Sequence, residues 1–272
     1  MNDFIEDIKK HHKDKRLIPF IGAGFSVPIG LPSWNELIGW IADKMEFERE
    51  LFNLHGTPQQ LAEYIKIKDP KLYNDFLHYM AVKFNSEERD KDRRKSALYK
   101  TLVSMEFKII YTTNYDHHIE GAFIDAGKKI NRIATLSDFV TSRTNLDCEI
   151  IKFHGTLEEP ETIILTESRY FDRMALEEAV DQKLRSDILS NSFIFIGYSF
   201  NDPNIRYIWY RINKLREKSS IKQPNPRPSY FVTFGTGPVQ PILLEPWDIR
   251  VINLNPVDKT NNLNEFLELI NK

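Results

Sequence analysis

The stretch LIPFIGAGFSVPIGLP, Leu17 to Pro32, sets the reading of the whole chain. Leu17, Ile18, Pro19, Phe20 and Ile21 form a short apolar run, which suits a strand buried on both faces of a parallel sheet. The run breaks into Gly22-Ala23-Gly24, with Ser26 close behind and Gly30 beyond. Glycine lets the backbone turn tightly and lets another group come close to it. A strand entering a glycine turn is how nucleotide-binding α/β folds begin. Two common versions do not fit. The dinucleotide fingerprint G-x-G-x-x-G needs glycine where Val27 stands, and a P-loop needs a Gly-Lys-Ser/Thr that is not found near. Taken alone, the turn is equally compatible with a ligand-free strand-to-loop connection.

Three further apolar runs end in the same manner. Lys108 to Thr112 enters Thr113-Asn114-Tyr115-Asp116, and Glu149 to Phe153 enters His154-Gly155. Phe193 to Ile196 enters Gly197-Tyr198-Ser199-Phe200-Asn201-Asp202-Pro203. The carboxyl ends of parallel strands share one rim, where ligands bind. Convergence of the four stretches there, rather than any one motif, makes the case for a site.

Helical spacing fills the rest. Asn2 and Asp3 are placed to cap a first helix whose Phe4, Ile5 and Ile8 share a face, with a solvated basic cluster, His11 to Arg16, at its end. Trp34, Leu37, Ile38, Ile41 and Met45, then Leu61, Tyr64 and Ile65, then Leu72, Phe76, Leu77 and Met80 recur at helical intervals. They predict a helical block at about 34–105 inserted between the first two strands. Its tract Glu87 to Lys95 alternates in sign and reads as a solvated face or mobile loop. Farther on, the pattern predicts a helix ending at Gly127, a weak strand at Ile130 to Ala134, and one helix over Arg169 to Leu189. Asp202 caps a helix starting at Pro203 and running to about Glu217. A Pro-rich surface loop, Gln223 to Pro228, precedes strands Tyr230 to Phe234 and Ile249 to Leu254 and a helix Leu263 to Ile270.

Composition narrows the class. The 272 residues, 41% hydrophobic and 28% charged, suit one α/β domain spanning 1–272. The 37 basic and 39 acidic residues leave a net charge of −2, which gives no global field for nucleic acid or an anionic membrane. One cysteine, Cys148, rules out an intrachain disulfide or a cysteine-rich zinc site within this chain. The polar amino-terminal stretch and the lack of a long apolar run lead to a cytoplasmic expectation. Histidines other than His154, including the adjacent His117 and His118, show no metal-ligand pattern with acidic or cysteine partners. They read as surface or structural, with no metal expected.

In order and spelling, the four stretches resemble the sirtuin family. Its G-A-G-x-S matches Gly22-Ala23-Gly24-Phe25-Ser26, T-x-N-x-D matches Thr112 to Asp116, H-G matches His154-Gly155, and G-x-S matches Gly197-Tyr198-Ser199. The spelling TTNYD, the Asn114-to-His154 gap and the segment Gly197 to Asn204 are similar to the sirtuin-like group of bacterial anti-phage proteins, including the NAD-cleaving subunit of Thoeris systems. The departures are specific. Sirtuin deacylases carry a four-cysteine zinc module after H-G, which one cysteine cannot build, and glutamine usually stands where Thr113 is. Their acyl-lysine-binding loop is replaced here by Ser168-Arg169-Tyr170-Phe171.

The resemblance implies an α/β fold, a Rossmann-like parallel sheet flanked by helices, with the helical insertion and no zinc module. It implies NAD+ as substrate, with Asn114 and His154 catalytic and Asp116 orienting the carboxamide or stabilising positive charge. Gly22, Ala23, Gly24 and Ser26 would meet the pyrophosphate through backbone N–H groups, and Gly197 and Ser199 a phosphate or the adenosine ribose. Thr113 and Phe200 complete the expected NAD contacts. The expected reaction is NAD+ glycohydrolysis in anti-phage defence by NAD depletion. A zinc-free deacylase or ADP-ribosyltransferase and a non-catalytic NAD- or ADP-ribose-binding subunit remain alternatives. Control is expected from homo-oligomer assembly or a HerA-type ATPase partner, without nucleic-acid or membrane contact.

Overall fold

The architecture was analysed in a computed structural model that describes residues 2–141, 144–200, 202–218, 227–235 and 237–272. The side chains of Asn2 and Asp3, and positions 223–226 of the Pro-rich loop, lie outside the described residues. Helix α1 (Asn2–Lys13) buries Ile8, and β1 (Leu17–Ile21) is buried along its whole length. His11 turns inward, so the basic cluster after it is solvated only in part. A run of helices follows: α2 (Trp34–Lys44), α3 (Arg49–Leu54), α4 (Pro58–Lys68), α5 (Pro70–Phe84), α6 (Glu87–Lys95) and α7 (Ala97–Ser104). Their starts are chemically marked. Ser33 with Glu36 and Thr57 with Gln60 form reciprocal capping boxes, and Asp69 and Ser86 cap α5 and α6.

Next come β2 (Ile109–Thr112), α8 (His118–Asp125), β3 (Ile130–Ile133), α9 (Leu136–Val140) and β4 (Cys148–Lys152). Helices α10 (Glu167–Arg173) and α11 (Ala179–Ser190) lead to β5 (Ser192–Ile196) and α12 (Pro203–Lys218). The chain continues through β6 (Ser229–Phe234), α13 (Val239–Leu244), β7 (Ile249–Leu254) and α14 (Lys259–Asn271). Two expectations need correction here. The single helix over 169–189 is broken between α10 and α11, where Leu176 has φ +56, a conformation no helix interior accepts. The alternating tract is neither loop nor featureless surface. It folds as α6 with acids in the first turn and bases in the last, matching the helix dipole, and its Arg93 is buried against Asp90 and Asp125.

The seven strands form one parallel sheet in the order β3-β4-β2-β1-β5-β6-β7. Alternation along each strand feeds two cores. Leu17, Ile21, Ile110, Ile150, Ile194 and Ile196 face one side, while Ile18, Phe20, Tyr111, Ile151, Phe193 and Phe195 face the other. The first side also receives Leu37, Ile41, Phe76, Met80 and Leu102, so the helical block shares a core with the sheet. Cys148 is buried in β4, and burial raises its thiol above the ordinary value. Among the described residues no helix is long and apolar enough to cross a membrane.

Candidate active site

The four stretches singled out in the sequence belong to four strands that are neighbours, β4-β2-β1-β5. The order in which strands are added reverses between β1 and β5, the place where open α/β sheets hold ligands. There the loops after the two strands interlock. Gly22 N–H donates to Ile196 O (2.9 Å) and Gly24 N–H to Gly197 O (2.8 Å). A Cβ on Gly197, whose φ is +62, would lie 2.3 Å from Phe25 N, and one on Gly22 would lie 2.6 Å from Gly197 O. Only glycine permits this approach.

That interlock corrects one expectation. The N–H groups of Gly22 and Gly24 donate across it, and that of Ser26 donates to Ala23 O (3.0 Å), so three of the four donors assigned to a pyrophosphate are already used within the fold. Ala23, Gly24 and Ser199 are exposed on the rim, and Thr113 and Gly197 are half-buried there. Phe200 is not on the rim. It is fully buried among Phe195, Trp209 and Phe231, and belongs to the core.

Ser26 is the centre of a buried polar cluster. Its Oγ lies 3.0 Å from Tyr99 Oη, donates to Asp116 Oδ2 (3.2 Å) and accepts from Asn114 Nδ2 (3.2 Å). The tip of β2 is shaped by Thr112, whose Oγ1 donates to Ile21 O and accepts from Asn114 N–H. Asp116 takes a second bond from His118 N–H at 3.0 Å. Its carboxylate therefore braces Ser26 and the loop, the position from which it was expected to orient a carboxamide or stabilise positive charge. Asn114 is 4% exposed, and its Oδ1 has no hydrogen-bond partner among the described residues. That leaves a buried acceptor able to take a hydrogen bond from another group.

His154 stands at the end of the adjacent strand. Thr112 pairs with Lys152, so Asn114 and His154 are each two residues past a matched pair. Gly155, at φ +80, makes the turn behind it, and a Cβ there would lie 2.3 Å from Thr162 O. His154 is 2% exposed, and its Nε2 lies 3.0 Å from Asp202 Oδ2, a close charge contact not aligned as a straight hydrogen bond. Tyr170 from α10 presents its ring edge-on at 5.3 Å, with its hydroxyl 3.5 Å from Nδ1.

Asp202 is both the helix cap foreseen in the sequence and more than that. Oδ1 accepts from the N–H groups of Asn204 and Ile205 at the start of α12, while Oδ2 faces His154. Burial pushes its carboxyl up, but His154 and the two N–H groups outweigh that and hold it below the ordinary aspartate range. Asp202, Tyr170 and Tyr99 are the contributors that sequence reasoning did not assign to the site. Asp202 stood inside a quoted segment, as did Tyr170 in the stretch that replaces the acyl-lysine-binding loop, whereas Tyr99, in the helical block, gave no signal. No hydrogen bond joins the Asn114 and His154 clusters among the described residues.

Comparison with known proteins bears on the family and the fold. A family model described as SIR2-like domain matches residues 108–252, more than half of the chain. A protein named NAD(+) hydrolase ThsA from Bacillus cereus (strain MSX-D12) is 27% identical over 99% of this chain and 56% of its own length. Its namesake from Cytobacillus dafuensis is 30% identical over 77% of this chain and 40% of its length. Defense-associated sirtuin 2 of Bacillus subtilis is 24% identical over 97% of this chain and 25% of its length. The chain thus spans at most about half the length of these relatives. A crystal structure of a Sir2 homolog–NAD complex shares the fold, with a TM-score of 0.50 at 15% identity over 99% of this chain and 93% of that one. Four strand tips on one rim, spelled and ordered as described, and a family match that covers three of them place this chain in the SIR2-like domain family.

Proposed function

We propose that this chain is an NAD+ glycohydrolase that cleaves the bond between nicotinamide and ribose, with water as acceptor, giving nicotinamide and ADP-ribose. The observation that carries the reading is the paired placement of Asn114, with its orphaned Oδ1, and His154 at matched positions on adjacent strand tips. The names of the relatives support the same chemistry. Ala23, Gly24, Thr113, Gly197 and Ser199 are the rim positions open to a dinucleotide, and Ser26 supports Asn114 from beneath.

The C1′–N bond joins a sugar to a cationic ring, and nicotinamide departs neutral, taking the bonding pair. No acid is needed to protonate it. Asn114 Oδ1 accepts from a ribose hydroxyl or the attacking water and fixes its position. The Asp202 carboxylate favours a proton on His154 Nε2, leaving the Nδ1 lone pair to take a proton as water adds to C1′. Asp202 is then a positioning residue acting through His154.

In this reading Asn114 and His154, both buried, describe a site held closed. NAD depletion during phage infection, released by self-assembly or by a HerA-type ATPase partner, is the biological role we attach to it. The test is nicotinamide release from NAD+, followed by chromatography, for wild type, Asn114→Ala and His154→Ala, with and without such a partner. Each substitution is expected to lower turnover by about a hundredfold or more. Undiminished turnover in both variants would discard the site assignment. Release that depends on an acylated peptide would point instead to a deacylase or transferase.

A further inference from the structure

Outside this site, α6 and the start of α8 bring together three side chains with donor atoms aimed at one point. Asp90 Oδ1 lies 3.3 Å from His117 Nε2 and 3.5 Å from His118 Nδ1, and all three donor atoms fall within 4.8 Å of one another. We propose that Asp90, His117 and His118 form a binding site for a divalent transition-metal ion, zinc by its donor chemistry.

His118 supplies the strongest evidence. It is fully buried, and its Nε2 lies 2.7 Å from Phe84 O, which accepts only, so the ring proton sits on Nε2. Its Nδ1 then holds a bare lone pair, has no hydrogen-bond partner among the described residues, and faces a carboxylate oxygen. A bare nitrogen lone pair facing a carboxylate oxygen is an arrangement that a metal cation between them would satisfy. His117 differs. It bridges two carboxylates, with Nδ1 3.3 Å from Glu158 Oε1 and Nε2 3.3 Å from Asp90 Oδ1; these partners, Glu158 first, favour its protonated form, so a metal ion would displace the Nε2 proton. A metal-ligating histidine characteristically gives its other N–H to a carbonyl or carboxylate, and both rings do so here.

The spacing suits the ion. Ligands at about 2.0–2.1 Å from a tetrahedral zinc are separated by roughly 3.3 Å, close to the two distances above. Two imidazoles and one carboxylate are a set zinc accepts, leaving a fourth position for water. Asp90 and His117 are partly exposed and provide the way in. Arg93 competes for the site, donating to the same Asp90 oxygen from Nε (3.3 Å) and Nη2 (3.0 Å). It is also held by Asp125 at 2.9 Å, and a carboxylate has lone pairs enough for both partners. The sequence concealed this site because Asp90 lies 27 positions before His117 in a tract read as solvated surface. Bound metal would tie α6 to the loop carrying Asn114, since Asp116 is bonded to His118 N–H.

The test is zinc uptake by the full chain after chelator treatment and desalting, with Co2+ absorption as the probe of geometry. One zinc per chain, the visible bands of tetrahedral Co2+, and a rise in melting temperature reversed by chelator are expected. His117→Ala and Asp90→Asn should each weaken binding at least about tenfold, and His118→Gln should remove it. His12→Ala, at another histidine pair, should leave it unchanged. Should His118→Gln fail to fold, the partly exposed His117→Ala still decides the matter. Absence of uptake by wild type, or equal uptake by wild type, His117→Ala and Asp90→Asn, overturns the site.

Discussion

Asp202 shows how one carboxylate serves two elements, and its consequences are measurable. Asp202→Asn keeps an acceptor for the α12 cap but removes the charge facing His154. We expect turnover to fall by about tenfold or more with KM little changed, because a wrongly set tautomer affects the chemical step. The sign of the pH effect follows from its lowered carboxyl. The charge contributes stability above the unfolded value of about 3.9, and that contribution is lost as pH falls through the lower native value. The difference in melting temperature between wild type and Asp202→Asn should therefore close in acid and reopen toward neutrality. Phe200 makes the opposite case. As a core aromatic, Phe200→Ala should cost about 3–5 kcal/mol in denaturant unfolding, a loss that a rim contact would not produce. Sequence order placed Asn114 and His154 at neighbouring strand tips because each follows an apolar run. It misplaced Phe200, since a residue inside a motif can turn inward, and missed Tyr99, which reaches Ser26 from another element.

Among elements, the interlocked loops after β1 and β5 are the least tolerant feature. Gly197→Ala would put a side chain in the left-handed region and against Phe25 N, so a loss on the order of 3 kcal/mol is expected, read by chemical denaturation. Removing the Ser33 hydroxyl from the α2 capping box should lose only about 1 kcal/mol. The strands were legible because each central one is a short apolar run followed by glycine or a polar turn. Helix breaks were less so. Nothing in apolar spacing signals that Leu176 takes a positive φ, and α13 lies in a stretch whose two prolines hide its periodicity.

Across the molecule, the helical block and the sheet share one apolar core, with Phe76 and Met80 in the same cluster as Ile21 and Ile110. They should unfold together. Denaturation curves from variants keeping only Trp40, in the block, or only Trp209, behind the sheet, are expected to coincide. Spacing alone revealed the insertion but not this union, because helical periodicity tells which face is apolar and not what covers it. The shielded position of Cys148 has a practical use of its own. Since the native thiol is sealed off, cysteines introduced at the exposed Leu54 and Val140 would alone accept fluorophores. Energy transfer between such dyes would report, in solution and in real time, whether admitting a dinucleotide swings the block away from the strands.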